Sequence, residues 1–228
     1  MLKLYIGNKN YSSWSMRPWV LLTQFGIPFE EHMLSFDGFD PTSQFKQAVT
    51  RISAAGKVPV LVDGDLVVWD TLAIAEYLAE TSGQALWPTD RAARARARSL
   101  CAEMHSGFGA LRNACPMNIE ASLPEVGARL MAEQAGVAAD LARVQSLWLD
   151  ALSAHGGPFL FGAFSIADAY FAPVVARLRT YALPVSAPVK AYMERVWQSP
   201  GVAAWVQGAL AEQTYLDFEE PYRSSRQA

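Results

Sequence analysis

Three serines lie close together near the start of the chain, where a short strand gives way to the first helix. Ser12, Ser13 and Ser15 precede an apolar pattern of helical spacing. A serine at a helix start often caps the helix by accepting a backbone N–H bond. The same position offers a hydroxyl and free N–H groups to an anion, because the helix dipole is positive there. Both interpretations stand, since different serines can serve each purpose.

A proline opens a later strand, in the segment Lys57-Val58-Pro59. Proline is tolerated at the start of a strand or on an edge strand. X-Pro bonds also adopt the cis form far more readily than other peptide bonds. A cis Val58–Pro59 bond would turn the main-chain groups of Val58 outward, free to pair with an extended peptide. An ordinary strand-opening proline explains the pattern equally well.

Two acidic–hydroxyl pairs stand at predicted helix starts. Asp70 and Thr71 precede an apolar helix. Capping is the usual role of such residues, but with the helix N-terminus they would also suit the ammonium and carboxylate ends of an amino acid. Ser165 and Asp168 have the Ser-x-x-Asp spacing of a capping box. For this second pair we expect a buried structural role without direct chemistry.

The elements that must position these residues change in type along the chain. The first part predicts strands at 2–6, 28–34, 58–62 and 66–69, helices at 14–25 and 70–79, and a loop at 36–50 with at most one helical turn. From residue 90 onward only helical periodicity is present, over 90–113, 125–154, 166–181, 187–197 and 200–213. Residues 84–89 are the predicted linker. This order favours a mixed sheet with packed helices, followed by an all-helical part.

Composition excludes several classes of protein. The 228 residues are 51% hydrophobic with a formal net charge of -3, which disfavours both disorder and a nucleic-acid binder. Two cysteines, Cys101 and Cys115, cannot make a disulfide framework in a chain this long. We find no signal peptide and no apolar run of membrane-spanning length, so a cytoplasmic protein is expected. The three histidines are not spaced as metal ligands, and no metal is expected.

Taken together in order and spacing, the four motifs resemble those of the cytosolic glutathione S-transferases over essentially the whole chain. The serine loop is most similar to the serine-type zeta and theta classes, and Arg17 matches the zeta arginine. Trp14 stands where the zeta pattern has cysteine, which weakens the specific inference of a maleylacetoacetate isomerase. The resemblance implies a glutathione S-transferase fold: an α/β thioredoxin-like domain over 1–83 and an all-α domain over 90–228. It also implies a homodimer.

The resemblance implies that Ser12 donates to the sulfur of glutathione, with Ser13 and Ser15 as alternatives. The remaining glutathione contacts are expected from Lys57, Val58, Pro59, Asp70 and Thr71. Lowering a thiol pKa from about 8.5 by about two units takes about 2.7 kcal/mol. A hydrogen bond to a charged group contributes about 1.5–3 kcal/mol and a helix N-terminus about 0.3–1 kcal/mol. One serine at the start of a helix therefore suffices, without a histidine base.

A second substrate is expected between the two parts of the chain. Its pocket is predicted from Trp14, His105, Phe108, Arg112, Arg177 and Tyr181. The main hypothesis is a glutathione transferase whose bound thiolate attacks a small apolar electrophile. Two alternatives stay open: a zeta-like glutathione-dependent cis–trans isomerase of the maleylacetoacetate type, and a non-catalytic interaction protein of the same fold. The expected partners are glutathione, the electrophile and a second copy of the chain, with neither nucleic acid nor membrane.

Overall fold

The computed structural model describes residues 1–226, and it places one four-stranded sheet near the start of the chain. Its strands are β1 (Leu2–Ile6), β2 (Phe29–Met33), β3 (Val60–Asp63) and β4 (Leu66–Trp69), in the spatial order β2-β1-β3-β4. β1 is parallel to β2 and antiparallel to β3. Parallel neighbours need a crossover connection, and the first helix supplies it. The expected mixed sheet with packed helices is confirmed.

The hairpin between β3 and β4 is tight because its loop contains only two residues. Asp63 pairs with Leu66, which leaves Gly64 and Asp65 as the turn. Gly64 has φ +57°, a conformation that the two-residue hairpin turns require and that glycine adopts at no steric cost.

Three helices accompany the sheet: α1 (Ser13–Gln24), α2 (Gln44–Ile52) and α3 (Thr71–Thr81). The prediction of a loop with at most one helical turn over 36–50 was wrong, because α2 is a helix of nine residues. The hydroxyl of Ser43 caps α2 by accepting the Lys46 N–H at 3.2 Å. Phe45 and Val49, one turn apart, bury one face of the helix against a small core that includes Phe36. Because these two apolar residues alone mark the buried face of a mostly polar helix, the sequence has no helical repeat long enough to predict α2.

The rest of the described chain is helical. Its helices are α4 (Arg91–Ser106), α5 (Gly109–Ala114), α6 (Pro124–Glu133), α7 (Ala135–His155), α8 (Ile166–Thr180), α9 (Ala187–Trp197) and α10 (Pro200–Glu212). Two helices that the sequence predicts as continuous are each divided. Phe108, in the left-handed region at φ 56°, separates α4 from α5, and extended Gln134 separates α6 from α7. Because apolar residues continue at helical spacing across both breaks, the periodicity of the sequence does not predict them.

The sheet half and the helical half share one continuous core. α1 packs against α8 and α10 as well as against α3. Gly201 permits the close approach of α10, since a Cβ there would lie 2.6 Å from the Val20 carbonyl oxygen. α8 is buried along most of its length. Within residues 1–226, no helix is both long and apolar enough to cross a membrane.

Asp168 organises the start of α8 from a fully buried position. Its carboxyl group accepts bonds from the Ser165 N–H at 2.9 Å and the Ser165 hydroxyl at 3.1 Å. It also accepts the Leu160 N–H and the Tyr192 hydroxyl, each at 3.1 Å. One carboxyl group thus joins α8 to the preceding loop and to α9.

Candidate functional site

Two adjoining cavities open between the sheet half and helices α4, α5 and α8. The first, of about 470 Å³, is bordered by the start of α1, the segment around α2, and α5. The second, of about 800 Å³, is bordered by the starts of β3 and α3 and by α4. Both are lined by Trp14, Lys57, Val58 and Arg112. The shared wall makes them two ends of one cleft.

The serine loop enters the first cavity at the N-terminus of α1. Ser12 and Ser13 line this cavity, whereas Ser15 is fully buried behind them. The Ser12 hydroxyl donates to Ser15 Oγ at 2.7 Å, and the Gly7 N–H donates to the same oxygen at 3.1 Å. Ser12 occupies the N-cap position but its side chain makes no capping bond. Its hydroxyl is therefore bonded to Ser15 rather than used to cap the helix, and the residue borders the first cavity.

Two cationic side chains border the same cavity from the helical half. Arg177 is buried and donates to Ser13 Oγ at 3.1 Å and to the Cys115 carbonyl oxygen at 2.5 Å. Burial, with the nearby charges of Arg112 and Arg17, lowers the pKa of Arg177 to about 10. Arg112 lies over the Trp14 ring, 4.9 Å from its centroid. The cavity wall thus carries two guanidinium groups that bond to no carboxylate within residues 1–226.

Arg17 is buried and contacts two residues that line the second cavity, Trp14 and Thr71. Its guanidinium is stacked between Trp14 and Tyr170, at 4.2 and 4.4 Å from the ring centroids. Its Nη1 donates to Thr71 Oγ1 at 3.4 Å, and its Nε has no hydrogen-bond partner within residues 1–226. Burial lowers its pKa to about 10. The motif had indicated only that Arg17 matches a family position; its support of Thr71 needed the structure.

The Lys57-Val58-Pro59 segment crosses the boundary between the cavities. The Val58–Pro59 peptide bond is cis. Lys57 is exposed and lines both cavities, and Pro59 lines the second. All three residues therefore border the cleft, and their contact with a peptide-like ligand stays a prediction.

Asp70 and Thr71 lie at the start of α3, on the wall of the second cavity. Asp70 has φ 74°, unusual for a residue other than glycine, and its Oδ1 caps α3 by accepting the Leu72 N–H at 2.8 Å. Its Oδ2 is 3.2 Å from His105 Nε2. The Thr71 hydroxyl is 2.5 Å from the Tyr170 hydroxyl. An outlying backbone at a cavity wall is the kind of conformation that functional sites retain.

Two of the residues predicted for the electrophile pocket line neither cavity, and a third, His105, lines only the second cavity. Phe108 begins α5 and its ring is buried in the main core. Tyr181 is buried as well, and its hydroxyl donates to the Pro116 carbonyl oxygen at 3.2 Å. Neither residue lines the two cavities. The break between α4 and α5 changes the direction of Phe108, and Tyr181 follows the last residue of α8, where the chain turns into the core.

Several residues of the first cavity escaped the sequence analysis. Phe36, Phe39, Phe45 and Lys46 come from the segment predicted as a loop. Their aromatic clustering was the available signal. Glu219 lines the same cavity from a short 3₁₀ turn (Asp217–Glu219) beyond α10. Burial raises the pKa of Glu219 to about 7, against the opposing effect of Arg177.

Comparisons with known proteins agree with this arrangement. Residues 11–81 match the family model "Glutathione S-transferase, N-terminal domain", and residues 91–208 match "Glutathione S-transferase, C-terminal domain". A stringent starvation protein A homolog from Haemophilus ducreyi is 23% identical over 205 residues, covering 88% of each chain.

Solved structures show the same similarity. A glutathione transferase homolog from Burkholderia, with bound glutathione, is 26% identical with a TM-score of 0.69, over 92% of this chain and 98% of that one. A maleylacetoacetate isomerase from Methylobacterium extorquens AM1, with bound malonate and glutathione, is 27% identical with a TM-score of 0.65, over 91% and 97%. The two family models span most of the chain, in the order of its sheet half and its helical half. The chain therefore belongs to the glutathione S-transferase family.

Proposed function

We propose that this protein is a glutathione transferase that activates the glutathione thiol with Ser12 for attack on a small electrophile. The observation that carries the proposal is the convergence on one cleft of three motifs distant in sequence. These are the serine loop at α1, the Val58–Pro59 segment and the start of α3. The solved Burkholderia homolog contains bound glutathione, which supports the same ligand here.

The thiol-activating step uses the N-terminus of α1. In the proposed complex the sulfur lies beside Ser12, and the Ser12 hydroxyl donates to it. Reversal of the Ser12–Ser15 hydrogen bond frees that proton, because Ser15 then donates to Ser12 while still accepting from Gly7. A chain of aligned hydrogen bonds strengthens each member. Ser15 thereby acts as a positioning residue, and Ser12 as the residue that touches the sulfur.

Glutathione is proposed to lie across the second cavity, with its sulfur reaching past Val58 into the first cavity beside Ser12. The glycyl carboxylate faces Lys57, the cysteinyl backbone pairs with Val58 beside Pro59, and the γ-glutamyl end meets Asp70 and Thr71. Asp70 offers a carboxylate to the ammonium group. Thr71 and the N-terminus of α3 suit the carboxylate. Because Asp70 already contacts His105, the ligand ammonium would share or replace that contact.

The electrophile is proposed to occupy the first cavity. Trp14 and the aromatic residues around α2 give it apolar walls, as a small apolar electrophile requires. Arg112 and Arg177 at the same wall favour a second candidate, the glutathione-dependent cis–trans isomerisation of an unsaturated acid. The Methylobacterium isomerase holds malonate, a dicarboxylate, together with glutathione. The carboxylate of an acidic substrate would pair with these two guanidinium groups, whereas an apolar substrate would leave them unpaired.

The division of the chain and its assembly are part of this proposal. Residues 1–83 form the glutathione-binding domain, 84–89 the linker, and 90–228 the domain that contributes the electrophile site. The family resemblance supports a cytoplasmic homodimer. Exposed Leu66 and Trp69 on β4 offer apolar surface for a second copy. Sedimentation of the purified protein would test the dimer.

The decisive experiment has two stages. Calorimetry first measures glutathione binding, and a panel containing an aryl halide, a conjugated enone and a cis-dienoic acid then measures turnover. The proposal expects binding at or below millimolar concentration and turnover of at least one electrophile. Absence of glutathione binding at millimolar concentration would overturn it. Binding without any turnover would instead favour the non-catalytic interaction protein.

A further inference from the structure

A carboxylic acid outside the family motifs borders the proposed electrophile site. Glu219 lines the first cavity together with Ser12, Ser13 and Arg177. It belongs to the 3₁₀ turn that follows α10, far from the serine loop in sequence. Its carboxyl group is partly buried and makes no hydrogen bond within residues 1–226. A partly buried acid without a hydrogen-bond partner, facing a substrate cavity, is available for chemistry.

The position of this turn is fixed by the neighbouring acid. Glu220 is buried and accepts the Tyr11 hydroxyl at 2.7 Å and Asn118 Nδ2 at 2.9 Å. Arg223 adds a hydrogen bond of 2.6 Å to the same carboxylate. Because Tyr11 directly precedes Ser12, the turn is bonded to the loop that holds the proposed thiol-activating serine.

An aromatic contact holds the turn from its outer side. The rings of Phe218 and Phe39 meet edge to face, with centroids 5.5 Å apart. Glu219 thus lies between two held neighbours, Phe218 and Glu220. Its placement at the cavity follows from these contacts rather than from a free chain end.

The surroundings of Glu219 bring its proton exchange close to neutral pH. Burial is the largest cause that raises its pKa to about 7, and the adjacent Glu220 contributes; Arg177 opposes both. The other ionisable groups on the cavity wall are Tyr11, Lys46, Lys57 and Arg112. General acids work best when their pKa is near the operating pH, because a substantial fraction is then protonated and the acid is still strong enough to donate its proton.

We infer that Glu219 is a general acid for addition of glutathione to a conjugated carbon–carbon double bond. This inference rests on the proposed function and deepens it by naming the electrophile class, an α,β-unsaturated carbonyl compound. The sulfur electron pair forms a C–S bond at the β-carbon, and the π pair shifts to give an enolate. The Glu219 O–H then protonates the α-carbon. The thiol released its own proton to solvent when it ionised, and solvent returns one proton to the Glu219 carboxylate, so the reaction adds one thiol across the double bond with no net change in protons.

The aryl-halide reaction provides an internal control for this step. Substitution of an aryl halide expels a halide ion and leaves no carbanion in the product to protonate. A variant that lacks the acid should therefore lose conjugate addition and keep substitution. General acid catalysis typically contributes about 10²–10⁴-fold.

The test compares Glu219→Gln with Asp217→Asn, which removes one exposed carboxylate from the same turn. Glutathione affinity, enone turnover and aryl-halide turnover are measured for both variants. Glu219→Gln should lower kcat for the enone by about 100-fold or more while changing glutathione affinity and aryl-halide turnover little. Asp217→Asn should leave all three unchanged.

The pH profile provides a second readout. Because the protonated acid is the active form, enone kcat of the wild type should fall as pH rises through about 7, and Glu219→Gln should lack this descending limb. If Glu219→Gln fails to fold, Glu219→Asp keeps an acid, and it should react more slowly while retaining the limb.

The inference and the proposed function fail in different ways. Equal loss of enone and aryl-halide turnover in Glu219→Gln would overturn the inference, as would a retained descending limb. Wild-type turnover of the aryl halide without turnover of the enone would also overturn it. Absence of glutathione binding by the wild type would overturn the proposed function itself.

Discussion

Arg177 of α8 donates a hydrogen bond to the hydroxyl of Ser13, the first residue of α1, at 3.1 Å. The bond joins the helical half of the protein to the loop that carries the proposed thiol-activating serine. It also brings a buried guanidinium to the wall of the electrophile cavity. Charge at this position separates the two candidate reactions, since only an acidic electrophile would bond to it.

Arg177→Met tests this separation, because methionine keeps much of the side-chain length and removes the charge. A hydrogen bond to a charged group contributes about 1.5–3 kcal/mol, so kcat/KM for a cis-dienoic acid should fall about 10-fold to 150-fold. Turnover of a neutral aryl halide should change little. Arg179→Met, on the exposed side of α8, is the control. Equal losses of turnover for the acidic and the neutral electrophile would contradict a role for Arg177 in binding a substrate carboxylate.

Asp70→Asn tests the proposed contact with the ammonium group of glutathione. Asparagine retains an acceptor for the Leu72 N–H, so α3 keeps its cap, but the negative charge is gone. Glutathione Kd should rise about 10-fold or more by calorimetry. An analogue that lacks the α-amino group should bind wild type and Asp70→Asn alike. Asp65→Asn, in the exposed hairpin turn, should leave both affinities unchanged; a similar loss for the analogue would argue against the assignment.

Glu220→Gln is expected to loosen the segment that follows α10. Its side chain and that of Arg223 are only 2% and 5% exposed, and breaking a buried ion pair costs about 3–5 kcal/mol. Urea unfolding should show a loss of this size, and trypsin should cleave after Arg223 more quickly. Glu194→Gln, which breaks the exposed pair with Arg179, should cost about 1 kcal/mol or less. Equal costs for the two variants would show that the segment is not anchored through Glu220.

Asp168→Ala separates folding from ligand binding. The substitution leaves buried donors of Leu160, Ser165 and Tyr192 without their acceptor, and each such group costs about 1–3 kcal/mol. The unfolding free energy should fall by about 3 kcal/mol or more, while the folded protein keeps its glutathione Kd. Ser165→Ala, which removes one donor, should cost about 1 kcal/mol. Weakened glutathione binding without loss of stability would contradict the structural role.

Most of the fold could be predicted from local sequence patterns. Alternating apolar residues predict β1, and the Gly64-Asp65 turn marks the hairpin, because strands and tight turns depend on neighbouring residues. α2 escaped because only two residues bury its face. The breaks at Phe108 and Gln134 escaped because they depend on how successive helices meet in space, which periodicity does not record.

The candidate site also contains some residues that local sequence patterns predict and others that they do not. The motifs at Ser12, Val58 and Asp70 were visible because a helix start or a strand start fixes each one locally. Glu219 was not visible, since its place at the cavity depends on bonds from Glu220 to residues distant in sequence. The available sequence signal was the pair Glu219-Glu220 among aromatic residues. The same pattern is common on exposed surfaces, so it does not indicate a site.

The pKa of the glutathione thiol in the bound state tests the central claim most directly. Ultraviolet absorbance of the thiolate, followed against pH, gives this value for the wild type, Ser12→Ala and Ser15→Ala. A free thiol has a pKa of about 8.5, and binding to the wild type should lower the thiol pKa by about two units. Ser12→Ala should reverse that shift by one to two units, about 1.4–2.7 kcal/mol, and Ser15→Ala by a smaller amount. An unchanged thiol pKa and unchanged turnover in Ser12→Ala would contradict the account.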